Sequence, residues 1–82
     1  MGTKNNPGEF DCYANADRDE PLFVLRASDP LAPMLVRNWA ECYRMKKTAE
    51  DGTPTDKTVR KYTEALDCAD QMAEWYNHNR EE

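Results

Sequence analysis

The chain has 82 residues, a length that allows one small domain and excludes a second one. Hydrophobic residues make up 39% of it and charged residues 33%, which is too apolar for a disordered chain and too polar for a membrane protein. The formal net charge is −5, and nucleic-acid binding depends on neutralising phosphates. We therefore expect a protein that does not bind DNA directly. No apolar run approaches 18 residues and residues 1–8 lack the apolar stretch of a signal peptide, so a cytoplasmic protein is expected.

The N-terminal part shows no helical or strand period. Residues 1–9 are polar and rich in turn formers, which predicts a flexible arm, and residues 10–82 are predicted to form the domain. The apolar run Leu22–Leu25 follows Pro21 and favours an extended segment. Because one strand makes no sheet, we expect this irregular segment to pack across helices.

The first long helix is predicted over Pro30–Lys47. Asp29 is a favoured N-cap, Pro30 suits the first helical position, and Pro33 falls in the first turn, where its missing N–H costs little. Apolar residues then recur at helical spacing. We assign the core-facing row to Leu31, Leu35, Trp39 and Cys42, with Ala32, Val36, Ala40 and Tyr43 beside it.

The second long helix is predicted over Pro54–His78, with Thr53 as its N-cap. Its apolar residues step by three and four, the spacing of a helix packed along another. They are Val59, Tyr62, Leu66, Ala69, Ala73 and Tyr76. The expected fold is therefore all-α or nearly so: an antiparallel helical hairpin with the N-terminal segment across it. Apolar surface left over by such a pair predicts a homodimer or higher homo-oligomer, buried through the second helix and the Phe23–Leu25 segment.

Several short runs and single residues between positions 10 and 76 form a recognisable pattern: Asp11-Cys12-Tyr13-Ala14, Asp19-Glu20-Pro21, Phe23, Leu25, Asp29-Pro30-Leu31-Ala32-Pro33, Leu35-Val36, Trp39-Ala40, Cys68-Ala69-Asp70, Met72 and Trp75. This pattern resembles that of small phage and prophage proteins that have no assigned activity. The resemblance covers residues 10–76. It implies a phage-type accessory protein and brings no functional residues with it.

A basic tip is predicted where the two helices meet. Residues 37–61 hold seven basic and four acidic residues, although the chain as a whole is acidic. Antiparallel packing would bring the end of the first helix beside the start of the second, where free N–H groups favour anions. The candidate anion ligands are Arg44, Lys46, Lys47, Lys57, Arg60 and Lys61. The alternative interpretation is an ordinary solvated face.

An acidic strip is predicted along the second helix. Glu64, Asp67, Asp70 and Glu74 recur at nearly helical spacing, and Trp75 adjoins them. Such a surface would suit a basic host protein, although a solvated face has the same pattern. Trp75 and Tyr76 are adjacent, so the two rings cannot both point into one core.

Catalysis and metal binding have little support in the sequence. The one histidine, His78, lies near the C-terminus, and the three cysteines lie 30 and 26 residues apart, unlike the close pairs of zinc sites. We expect buried cysteines, no metal, no cofactor and no enzymatic activity. The first functional hypothesis is inhibition or redirection of a host protein, such as a defence protein. The alternatives are sequestration of an anionic, for example cyclic, nucleotide at the basic tip or an oligomer interface, and a structural or assembly role.

Overall fold

The computed structural model describes residues 1–79, apart from the side chain of Ala14. Three helices follow one another along the chain: α1 (Cys12–Asn15), α2 (Ala32–Asp51) and α3 (Asp56–Asn79). Within the described residues no strand forms, so the predicted all-α class is confirmed. α3 continues one residue beyond the predicted end at His78, and residues 80–82 lie outside the described part.

α2 and α3 form the predicted antiparallel hairpin. Arg37 of α2 pairs with Asp70 of α3, and Glu41, one turn later, bonds to Tyr62. Contacts that come later in α2 therefore involve residues that come earlier in α3, as antiparallel packing requires. Over residues 1–79, none of the helices has the length and apolar character that crossing a membrane requires.

α2 starts two residues later than predicted because Asp29 caps a turn that precedes it. The Asp29 carboxylate accepts a hydrogen bond from the Leu31 N–H at 2.9 Å, and the Asp29 carbonyl accepts one from the Ala32 N–H at 3.0 Å. At its other end α2 continues four residues beyond the predicted end at Lys47. Gly52 stops it with φ of 79° and donates its N–H to the Thr48 carbonyl at 2.9 Å.

α3 also starts two residues later than predicted, because Thr55 and not Thr53 supplies the cap. The Thr55 hydroxyl accepts a hydrogen bond from the Thr58 N–H at 3.2 Å, which satisfies one of the free donors of the first turn. The Thr55 carbonyl accepts the N–H of Val59 at 3.0 Å. The predicted cap residue was therefore wrong, but a threonine side chain caps the helix as expected.

Small side chains form the contact between the two long helices. Four alanines are fully buried, namely Ala32, Ala40, Ala65 and Ala69. Two of these, Ala32 and Ala40, are on α2 and face α3. They belong to the row that we predicted to lie beside the core-facing row. The predicted core-facing row was wrong: Leu31, Leu35 and Trp39 are 56%, 41% and 43% exposed, and Cys42 is exposed as well.

The N-terminal segment lies against α3. The amino group of Met1 is 3.4 Å from the Glu64 carboxylate, and Glu9 pairs with Arg60 at 2.8 Å. The Asp11 carboxylate accepts backbone N–H groups from Gly2 and Gly8. Other side chains of this segment stay exposed, since Tyr13 is 83% and Phe23 82% accessible. The segment therefore covers only one side of the hairpin.

Candidate functional site

The six basic residues of the predicted tip do not converge on one point. Lys61 and Tyr62 are consecutive, so their side chains leave α3 about 100° apart. Lys61 contacts the rings of Trp39 and Tyr43, whereas Arg44 packs on Tyr62. Arg44 and Lys61 therefore lie on different sides of the hairpin.

Arg44 takes part in a bridge between the helices. The Tyr62 hydroxyl donates to one Glu41 oxygen at 2.5 Å, and Arg44 donates to the other at 3.1 Å. The Tyr62 hydrogen bond, followed by that of Arg44, lowers the pKa of the Glu41 carboxyl, and the same bond to Glu41 raises the pKa of Tyr62. With both of these partners, Arg44 has a structural role that the sequence pattern did not reveal.

Lys61 lies among three aromatic rings. Its Nζ is 5.1 Å from the ring centroid of Tyr43 and 5.6 Å from those of Phe10 and Trp39, within cation–π range. Trp39 and Tyr43 stack on each other at 5.0 Å. Among residues 1–79, no carboxylate lies within 4.0 Å of the Lys61 ammonium group. Its charge is therefore available to an anion that reaches this cluster.

A cleft of about 440 Å³ opens between the N-terminal segment and the start of α3. This volume falls in the range of small-ligand pockets, roughly 300–1,000 Å³. Lys57 and Lys61, one helical turn apart, both line it. The other lining residues are Glu9, Phe10, Cys12, Asn15, Ala16 and Glu20. Of the six predicted anion ligands, the structure brings these two lysines together at one cavity.

The remaining basic residues have other surroundings. Arg60 donates to Glu9 at 2.8 Å and lies 5.7 Å from the Phe10 ring, so it holds the N-terminal segment on α3. Lys47 is 3.8 Å from Glu50 on its own helix. Lys46 is exposed on α2. These three side chains lie outside the lining of the cleft.

The predicted acidic strip is partly neutralised. Glu64 faces the Met1 amino group at 3.4 Å, and Asp70 pairs with Arg37 at 2.9 Å. Asp67 and Glu74 are exposed, and neither has a basic partner within 4.0 Å in the described part of the chain. The negative surface that remains therefore lies toward the C-terminal half of α3.

Trp75 is the outward-facing member of the adjacent aromatic pair. It is 50% exposed, whereas Tyr76 is half-buried against the hairpin. The Trp75 ring borders a shallow cavity of about 320 Å³. The other lining residues are Gln71, Glu74, His78 and Asn79. Trp75 and Glu74, both predicted as partner contacts, thus meet at one exposed surface.

The cysteines differ from the buried residues that we expected. Cys12 and Cys42 are exposed, and only Cys68 is half-buried. Burial raises the pKa of the Cys68 thiol, Asp11 adds to this effect, and the positive N-terminus opposes it. Over residues 1–79, no group of three or more His, Cys, Asp or Glu side chains is placed to hold a metal ion.

Comparisons with protein-family models, curated proteins and solved structures find no match to this chain. The resemblance to phage proteins consequently stays a prediction, as do the site assignments. The structure adds an apolar outer face on α2 that the sequence reasoning had misplaced. Its signal was present in the sequence, because Leu31, Leu35 and Cys42 of the predicted core-facing row continue to Met45 and Ala49 at helical spacing.

Proposed function

We propose that this chain is a phage-type accessory protein that binds and inhibits or redirects a host protein in the host cytoplasm, without catalysing a reaction. The observation that supports the proposal is its exposed apolar and aromatic surface. Phe23 is 82% exposed and Trp75 is 50% exposed. Aromatic side chains are enriched in the centres of protein interfaces, where a few of them supply most of the binding energy.

The contact surface proposed for the host protein is centred on Trp75. Glu74 adjoins this ring, and Asp67 adds negative charge about two turns earlier on α3. The cavity beside Trp75 makes the surface uneven. A partner with an apolar pocket and a basic rim would complement this surface. Trp75 would supply affinity, whereas the carboxylates would mainly accelerate association.

The test is affinity capture from host lysate, followed by calorimetry with the captured protein after purification. Trp75→Ala should weaken binding about 30-fold or more, the effect of a residue worth about 2 kcal/mol at an interface. Tyr13→Ala is the matched control, because Tyr13 is 83% exposed and lies in α1. Equal affinities of the parent and the Trp75→Ala variant would rule out this surface.

A second candidate function is sequestration of a small phosphate-bearing ligand, such as a nucleotide, in the cleft at the start of α3. What favours it is the pair Lys57 and Lys61, which line the cleft beside the Phe10 ring. Ammonium groups bind phosphate oxygens, and an aromatic face stacks on a base. Glu9 and Glu20 also line the cleft and oppose an anion there.

Calorimetry with linear and cyclic nucleotides at low salt tests the second candidate. If the two lysines hold a phosphate, Lys57→Ala and Lys61→Ala should each weaken binding roughly 10- to 100-fold, since charge-assisted hydrogen bonds contribute about 1.5–3 kcal/mol. Lys46→Ala is the control, because it removes the same charge from an exposed position outside the cleft. Absence of binding, or an equal loss in all three variants, would contradict a site in the cleft.

A further inference from the structure

The outer face of α2, turned away from α3, is largely apolar, with Asn38 as its polar member. It begins at Leu31, the residue before α2, and its members step by four and three residues in alternation. They are Leu31, Leu35, Asn38, Cys42, Met45 and Ala49, and all six are exposed. We name them the α2 outer row. Alternating steps of four and three residues are the repeat of helices that pack against one another along their length.

None of the charged residues of α2 belongs to this row, although Lys46 lies at its edge. Arg37 bonds to Asp70, and Glu41 and Arg44 both contact Tyr62, so these three residues lie at the margins of the contact with α3. A surface helix with a single partner normally buries its apolar face and exposes its charges. On α2 the buried side consists of small residues such as Ala32 and Ala40, whereas the larger Leu35 and Met45 are exposed, as expected for a helix with a partner on each side.

The accessible surface of the chain is large enough for such a second partner. A folded monomer of 9.5 kDa exposes about 5,000 Å². This chain exposes 6699 Å², an excess of roughly 1,700 Å² over that expectation. A stable interface of standard size removes about 800 Å² from each partner. The excess is summed over the whole chain, including the irregular N-terminal segment, and it is larger than the area that one copy would contribute to a stable dimer.

We infer that the α2 outer row is covered by the same row of a second copy, with the two α2 helices antiparallel. The row is symmetric about Ala40: Leu31 and Ala49 lie nine residues from it, and Asn38 and Cys42 lie two residues from it. A twofold axis at the level of Ala40 places Leu31 against Ala49 of the other copy. A surface that complements itself in this way suits the interface of a twofold dimer.

The antiparallel direction follows from side-chain size and charge. It sets the large Leu31 against the small Ala49 and pairs Asn38 with Cys42, so that side-chain volume is spread more evenly along the interface than in a parallel pair. A parallel pair would put Ala49 against Ala49 and would place Lys46, exposed at the edge of the row, close to its counterpart. Antiparallel α2 helices also align their dipoles favourably.

This arrangement differs from the dimer expected from the sequence. That expectation used α3 and the Phe23–Leu25 segment, but α3 already packs against α2. Ala65 and Ala69 are fully buried, and Val59 is the one exposed member of its apolar row. The α2 surface is also separate from the Trp75 surface proposed for a host protein. Either proposal can consequently fail without the other.

Sedimentation of the purified chain over a range of concentrations tests the interface. We expect the parent to have twice the mass of the 9.5 kDa chain, and Leu35→Glu, which places a charge in the row, to have the mass of one chain. Phe23→Glu is the control, because Phe23 is exposed outside α2, and it should remain dimeric. A monomeric parent, or a Leu35→Glu variant that dimerises like the parent, would overturn the inference.

Disulfide trapping tests the direction and does not depend on a destabilising charge. The experiment mixes two variants, both of which carry Cys12→Ser and Cys68→Ser. The first variant keeps Cys42 as its single cysteine. The second also carries Cys42→Ser and Asn38→Cys, so that its single cysteine is at position 38. After mixing and mild oxidation, the antiparallel pair predicts that disulfides join unlike chains, as measured by intact mass. Disulfides between like chains would indicate the parallel pair and contradict the inferred direction. A lack of any disulfide would contradict the interface itself.

Discussion

At the scale of single residues, the hairpin is joined by polar contacts at its margins. Glu41 of α2 accepts hydrogen bonds from both Tyr62 and Arg44, and these bonds lower the pKa of the Glu41 carboxyl. Because the folded state favours the ionised carboxylate, Glu41 stabilises the hairpin at neutral pH. Its contribution is present above the ordinary glutamate pKa of about 4.3 and is lost as the pH falls through the lower folded-state value.

The first prediction concerns this pH dependence. Tyr62→Phe removes the hydrogen bond that contributes most to lowering the pKa of Glu41. Thermal unfolding followed by circular dichroism should therefore show a lower melting temperature for the variant at pH values near neutral, and a smaller difference in strong acid, where Glu41 is protonated. Tyr76→Phe, a half-buried tyrosine of the same helix, is the control. A difference for Tyr62→Phe that is the same at both pH values would contradict the role of Glu41.

At the scale of elements, alanines determine how closely α2 and α3 approach. Ala40 and Ala65 have no exposed surface, so a larger side chain at either position must push the helices apart. The second prediction is that Ala65→Leu destabilises the protein by about 1–3 kcal/mol, the typical cost of an overpacked core. Chemical unfolding measures this loss. Thr63→Leu is the control, because Thr63 is exposed on α3, and it should change the free energy of unfolding little. Equal losses of unfolding free energy in Ala65→Leu and Thr63→Leu would contradict close packing at Ala65.

The third prediction concerns Gly52, which ends α2 with φ of 79°. A Cβ at this position would meet no atom within 4 Å, so the cost of a side chain there is conformational and not steric crowding. Gly52→Ala should lower the free energy of unfolding by about 1–2 kcal/mol. Asp51→Ala, one residue earlier in the helix, is the control. An unchanged unfolding free energy for Gly52→Ala would show that α2 ends in another way.

The sequence was sufficient to predict both long helices and their antiparallel packing. Pro and Thr positions located the helix starts to within two residues, and the caps shifted because Asp29 and Thr55 bond to their own turns. The face of α2 was assigned wrongly because two rows have helical spacing. Residue size decides between them: alanines allow α3 to approach closely, and larger residues such as Leu35 stay outside.

Side-chain partners of the candidate sites were harder to predict, because they depend on contacts between distant parts of the chain. Arg60 and Glu9 are 51 residues apart in sequence, and Lys61 meets Phe10 from the same N-terminal segment. The irregular path of that segment has no periodic signal. The basic residues could therefore be listed from the sequence, but the pairing of Lys57 with Lys61 at a cleft could not be predicted.

At the scale of the whole molecule, the chain is elongated and has a thin core. Its radius of gyration is 13.8 Å, compared with about 12 Å expected for a compact domain of this length. No side chain larger than alanine is fully buried within residues 1–79, whereas eleven large hydrophobic residues are exposed. Such a surface is typical of a protein that works through contacts with other chains.

The reactivity of Cys42 most directly measures whether this apolar surface is covered. Cys12 and Cys42 are both exposed in the single chain, but only Cys42 lies in the α2 outer row. We predict that alkylation of Cys42, followed by peptide mass spectrometry, slows as the protein concentration rises from nanomolar to high micromolar, while alkylation of Cys12 keeps a constant rate. A Cys42 rate that is independent of concentration and equal to that of Cys12 would contradict a second copy on α2.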